Sequence, residues 1–206
     1  MLYDFKQKAK LEIEWQFLSI SRWLKELWEL DDIMNINSVL WRKNFLIIAI
    51  YSANEFILEY IIELFFSKIY DVMESELWPK YHIQFERQKL KKYITDNHSS
   101  RLDSIEDILC QLIGNVQSKW IFNSIEVKMG KDYSILKWEL IEFKWFRDKI
   151  AHSSKNFFSD PAGSQFKGFP NAVVTKRLDR MQLLLISFSD FFYDELWELF
   201  IPNEKS

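Results

Sequence analysis

The tract FLIIAIYSANEFILEYIIELFF, residues 45–66, constrains this chain more than any other feature. An apolar run of that length is either a membrane span or a long helix buried inside a protein. Glu55, Glu59 and Glu63 interrupt it. Three carboxylates are too many for a lipid-facing span, so a buried helix of a soluble protein is expected, with no membrane partner. Around it, only 4 Gly and 4 Pro leave little turn chemistry for a many-stranded sheet. Long tracts of Leu, Ile, Glu and Lys favour helices. The expectation is an all-α chain: one antiparallel bundle of about five to six helices, forming a single domain over residues 1–206.

A hydrophobic fraction of 48% supplies a sizeable core and excludes disorder for most of the chain. The net charge of −3 provides no global basic field, so contact with nucleic acid has to be local. The one cysteine, Cys110, excludes an intramolecular disulfide and a multi-cysteine zinc site, and it reads as a small buried hydrophobe. The N-terminal stretch MLYDFKQKAKLEIEW mixes charged and apolar residues and lacks the apolar core of a signal peptide. A reducing cytoplasm is the expected location.

Leu11, Phe17, Leu18, Leu24, Leu27 and Trp28 recur at three- and four-residue steps and mark a first helix. Ser38 is placed to cap a second, running from about Val39 into the early 70s. After Pro79, the segment IQFERQKLKKYITD reads as a short basic helix, and another follows near Ile105 to Val116. A break at Met129 to Asp132 precedes SILKWELIEFKWFRDKIAH, an aromatic helix ending near His152. Residues 153–171, with Gly163, Gly168, Pro161 and Pro170, read as a flexible loop before a final helix from about Ala172 to Leu199.

Arg147 and His152 stand together at the polar end of that aromatic helix. Arginine keeps its charge and can clamp a phosphate through two parallel hydrogen bonds, and histidine moves protons near neutral pH. The same two groups can also do no more than complement the negative end of a helix macrodipole. At about 100° per residue the two positions lie about 140° apart around the helix, so they do not share a face. Asp148 and His152, at i and i+4, do share one, and Asp148 is placed to orient the imidazole.

The segment FRDKIAH resembles the R-x4-6-H signature of the HEPN superfamily, in which an Arg, an Asn or Asp and a small residue precede the His. The motif covers only Arg147 to His152, while the arrangement of long helices, motif, loop and closing helix extends the likeness over most of the chain. The resemblance implies a metal-independent endoribonuclease with Arg147 and His152 as catalytic residues and no cofactor. In this chemistry the ribose 2′-hydroxyl attacks its own phosphate and leaves a 2′,3′-cyclic phosphate. The resemblance further implies an RNA substrate and a homodimer that brings two motifs together across a two-fold axis. It also implies a toxin or effector role in a prokaryotic toxin–antitoxin or phage-defence system, with a cognate antitoxin or defence partner. Some HEPN families carry an acidic or polar residue on an earlier helix facing the motif, which singles out Glu55 and, after it, Asn54 and Ser52. The alternative is a non-catalytic HEPN-like module that binds a protein partner or a nucleotide.

Arg87, Lys91 and Lys92, with Lys149 and Lys155 near the motif, are candidate contacts to an RNA backbone or simply a solvated basic face. No metal site is expected: a di-iron bundle needs Glu-x-x-His pairs, and His82, His98 and His152 all lack a Glu three residues before them.

Overall fold

The computed structural model describes residues 1–31, 36–73, 102–152 and 171–200. Among them are six helices and no strand: α1 (Leu2–Asp31), α2 (Ile36–Met73), α3 (Leu102–Ile113), α4 (Asn115–Met129), α5 (Lys131–His152) and α6 (Asn171–Phe200). The basic segment with Arg87, Lys91 and Lys92, the residues Lys155, His82 and His98, and the expected loop up to residue 170 lie outside the described residues.

In α1, Phe5, Ala9, Ile13, Phe17, Ile20 and Leu24 recur at four, four, four, three and four residues and are all buried. One helical face therefore carries the whole contribution of α1 to the core. Leu11 and Leu18 share the spacing but not the face, and both are exposed. α2 buries a much wider arc, including the adjacent pairs Ile57 and Leu58, Ile61 and Ile62, and Phe65 and Phe66. It packs against α1 and α5, and needs apolar side chains toward both. α6 meets α1, α4 and α5, and α3 leans on α4. Fully burying an aliphatic or aromatic side chain is worth roughly 1.5–3 kcal/mol, so α2 and α6, which bury the most such side chains among the described residues, contribute most to the fold.

Aromatic rings join these three helices at one end. Phe5 of α1 meets Phe65 of α2 at 5.5 Å and Tyr193 of α6 at 5.7 Å between ring centroids. The phenol of Tyr193 is fully buried, and it donates to the Ile61 carbonyl of α2 at 3.1 Å. That bond removes the desolvation penalty an unpartnered hydroxyl would carry there.

Two glycines set the joints between the shorter helices. Gly114, at φ 94°, separates α3 from α4, and Gly130, at φ 57° and ψ −126°, separates α4 from α5. Side chains with a Cβ rarely adopt such backbone angles. The Gly130 amide still donates to the Glu126 carbonyl at 2.8 Å, and Ser118 Oγ ties α4 back to the Glu106 carbonyl of α3 at 2.9 Å.

Three expectations need correction. α2 begins at Ile36, so Ser38 lies inside the helix and is not its cap. The helix expected near Ile105 to Val116 stops at Ile113 because Gly114 turns the chain, and a separate helix, α4, fills residues 115–129. Cys110 is only partly buried, one position off the face formed by Ile105, Ile108, Leu109 and Leu112. Asn44–Ser67 is long and apolar enough to cross a membrane by length and composition. About half of that tract is buried against other helices, and Phe45 and Phe56 within it are exposed.

Candidate functional site

Arg147 sits among the core-facing residues of α5. Leu140, Phe143, Phe146 and Ile150 are buried around it, while Trp138 and Trp145 are exposed on the far side. Its guanidinium consequently reaches α2. Nη2 donates to the Tyr51 phenol oxygen at 2.8 Å, and the guanidinium carbon lies 4.3 Å from the centroid of the Tyr51 ring. Tyr51 in turn donates to Glu55 Oε1 at 3.2 Å, which is one helical turn along α2. Glu55, expected as a supporting residue from an earlier helix, thus joins Arg147 through a phenol that sequence reasoning did not single out.

The other edge of the guanidinium faces its own helix. Nη1 stands 2.9 Å from Asp148 Oδ1, and Lys144 Nζ stands 2.6 Å from Asp148 Oδ2. Asp148 is therefore engaged by two cations, beside the orienting role expected for it. Arg147 Nε is buried with no hydrogen-bond partner. Burial pulls the Arg147 pKa down, but the Tyr51 hydrogen bond and the nearby Tyr51, Asp148 and Glu55 groups outweigh it, leaving the pKa above its ordinary value. The guanidinium is a permanent cation, with 32% of the side chain still exposed.

Asn54 is buried, but it faces α6: its Nδ2 is 3.7 Å from the Met181 sulfur, and its Oδ1 is buried without a hydrogen bond. Ser52 is exposed. Lys149 carries its ammonium 3.6 Å from the Trp145 ring centroid, a cation–π contact on the outer side of α5. His152 is the last residue of α5, five positions and about 140° from Arg147 around the helix axis.

Two polar clusters gave no signal in the sequence. Arg177 of α6 donates from Nε to Glu139 Oε2 at 3.0 Å and also engages Glu142, both on α5. Burial alone would lower its pKa, yet its hydrogen bond to Glu139 and the charges of the two carboxylates outweigh that and leave it raised. Glu195 of α6 is almost wholly buried; it accepts from Ser124 at 2.6 Å and pairs with Lys128, both on α4, while its Oε2 has no partner. Such pairs join helices far apart in the sequence, and no local spacing reveals them. Among the described residues, no group of three or more His, Cys, Asp and Glu could hold a metal ion.

Comparison with protein-family models, curated proteins and solved structures finds no match. The chemistry of the site therefore rests on its own residues. A guanidinium fixed from two helices can bind a phosphate or stabilise charge developing on one.

Proposed function

We propose that this chain is a HEPN-type endoribonuclease that needs no metal and acts in the cytoplasm as part of a toxin or defence system. The observation that carries the reading is the hydrogen-bonded series Glu55, Tyr51, Arg147, in which an acidic residue of an earlier helix supports the motif arginine. The bundle is read as antiparallel. Contacts of Phe5, near the start of α1, with Phe65 and Trp197, near the ends of α2 and α6, support that arrangement.

In the proposed reaction the 2′-oxygen of a ribose bonds to the adjacent phosphorus, the bond from phosphorus to the 5′-oxygen breaks, and a 2′,3′-cyclic phosphate and a 5′-hydroxyl result. His152 transfers the proton, and Arg147 stabilises the charge that develops on the phosphoryl oxygens. The 140° between them suits a homodimer in which the α5 ends of two copies meet, so that Arg147 of one copy works with His152 of the other. Mixing Arg147→Ala with His152→Ala protein should then restore part of the activity each has lost.

A second reading is favoured by the inward direction of Arg147. Hydrogen-bonded to Tyr51, a residue only 5% exposed, it can act as a brace between α5 and α2 in a non-catalytic module that binds a protein or a nucleotide. Arg147→Lys separates the two readings, since lysine keeps the charge but not the planar fork. A transition-state role predicts a loss of roughly 10²–10³ in cleavage rate with the fold intact. A brace predicts a lower unfolding midpoint, and near wild-type cleavage by the Lys variant would remove Arg147 from the chemistry.

A further inference from the structure

The face of α5 that looks away from the core carries two tryptophans and almost no other apolar surface. Trp138 is 70% exposed and Trp145 43%, and no Leu, Ile or Phe of α5 is exposed beside them. The two stand seven positions apart, and His152 comes seven positions later, so the three drift by only about 20° per step and form one stripe along the helix. Leu136, Leu140, Phe143 and Ile150 are buried on the opposite side. Cations accompany the rings: Lys149 Nζ lies 3.6 Å from the Trp145 ring centroid, and the exposed Lys131 begins the same stripe. The carboxylates at its margins, Glu142 and Asp148, are engaged by Arg177 and by Arg147 with Lys144.

We infer that this stripe is a track for single-stranded RNA, on which bases stack against Trp138 and Trp145, Lys149 meets a phosphate beside them, and the strand reaches the His152 end of α5. Every base offers a ring face to an indole, and the charge that a strand carries at each step calls for cations near the rings. A protein partner would instead bury a continuous apolar patch, and two indoles set two turns apart among Ser134, Glu142 and Lys149 do not make one. At about 1.5 Å per residue, Trp138 and Trp145 are about 10.5 Å apart along the helix, as are Trp145 and His152. A stacked strand advances about 3.4 Å per nucleotide, so about three steps separate each pair. A duplex, whose bases already stack on one another, offers no free ring face and is not a ligand. The choice of RNA rests on the ribonuclease reading, in which the copy that receives the strand supplies His152 and the other supplies Arg147.

Binding is measured apart from cleavage with a short fluorescein-labelled RNA whose riboses are 2′-O-methylated, so that no 2′-hydroxyl can attack. The full chain should bind this strand, and bind it far more tightly than the duplex of the same sequence. Trp138→Leu and Trp145→Leu should each weaken binding about tenfold with helical circular dichroism unchanged, whereas Trp138→Tyr should bind nearly as the wild type does, because a ring and not mere apolarity is required. Lys149→Gln should reduce the slope of log affinity against log salt by about 0.7. No binding by the wild type, Leu variants that bind as tightly as it does, a Trp138→Tyr loss equal to that of Trp138→Leu, or equal affinity for strand and duplex would overturn the inference. So would Leu variants that lose oligomer mass in sedimentation while binding RNA normally, which would assign the face to another protein chain. Ring-dependent binding without cyclic phosphate products would keep the track and remove the ribonuclease reading. Cleavage that both Leu variants perform at wild-type kcat and KM would keep that reading and remove the track.

Discussion

Arg147 donates to the phenol oxygen of Tyr51 at 2.8 Å while its guanidinium lies against the face of the same ring. Arg147 is thus gripped by a buried tyrosine from a different helix, and the Tyr51 hydroxyl in turn donates a hydrogen bond to Glu55. Tyr51→Phe keeps the ring and removes the oxygen. Arg147 is part-exposed, so water can replace the lost bond, and the expected cost in urea unfolding is about 1 kcal/mol. If Arg147 acts on RNA, cleavage should fall well beyond what that small loss explains. Unchanged cleavage would uncouple Tyr51 from the site.

Arg177 and the pair Glu139 and Glu142 supply a purely structural contrast. Arg177 is 17% exposed and Glu139 14%, so Arg177→Met strands a largely buried carboxylate at the contact of α6 with α5. Breaking such a pair should cost about 3 kcal/mol in denaturant unfolding. Restoring much of the stability with Glu139→Gln in the Met background would identify the stranded charge as the cause. A loss under about 1 kcal/mol would mean that solvent already screens the pair.

Lys128 gives a pH prediction. Its hydrogen bond to Glu195 raises its pKa above the ordinary 10.5, against the lowering effect of burial. A raised pKa on a cation means that its contribution to stability is fully present below the unfolded value and disappears as pH climbs through the folded one. The stability difference between wild type and Lys128→Met should therefore be constant from about pH 7 to pH 10 and shrink above that window. Unfolding midpoints across the alkaline range check it, and a difference that grows with pH would reverse the assignment.

Gly130 tests the backbone alone. A Cβ built there meets nothing within 4 Å, so Gly130→Ala introduces no clash with neighbouring atoms. It still forces alanine into φ 57° and ψ −126°, and a destabilisation of about 1–3 kcal/mol is expected. A neutral Gly130→Ala would show that the junction between α4 and α5 relaxes freely.

The legible parts of the fold were those with a long period. α6 spans Asn171–Phe200 against an expected Ala172 to Leu199, because its apolar residues repeat over many turns and proline precedes it. α4 went unseen because its apolar residues fall on two opposite faces, Ile121, Phe122, Ile125 and Met129 inward and Val116, Trp120 and Val127 exposed, so that no single stripe stands out in the sequence. Glu55 was legible as a polar intrusion in an apolar helix. The partner that connects it to Arg147, Tyr51, looked like one more aromatic of the core. Arg177 and Glu195 were illegible for a different reason, since their partners lie 38 and 71 positions away and only packing brings them together.

The most direct test of the ribonuclease account is the chemistry of the product ends. Purified protein is incubated with RNA in excess EDTA, and the new termini are identified for wild type and for His152→Ala. The account predicts 2′,3′-cyclic phosphates and 5′-hydroxyls from wild type, and neither from a His152→Ala protein that keeps its helical circular dichroism. Intact RNA with wild type, cleavage that stops in EDTA, or the same ends at the same rate from His152→Ala would contradict it.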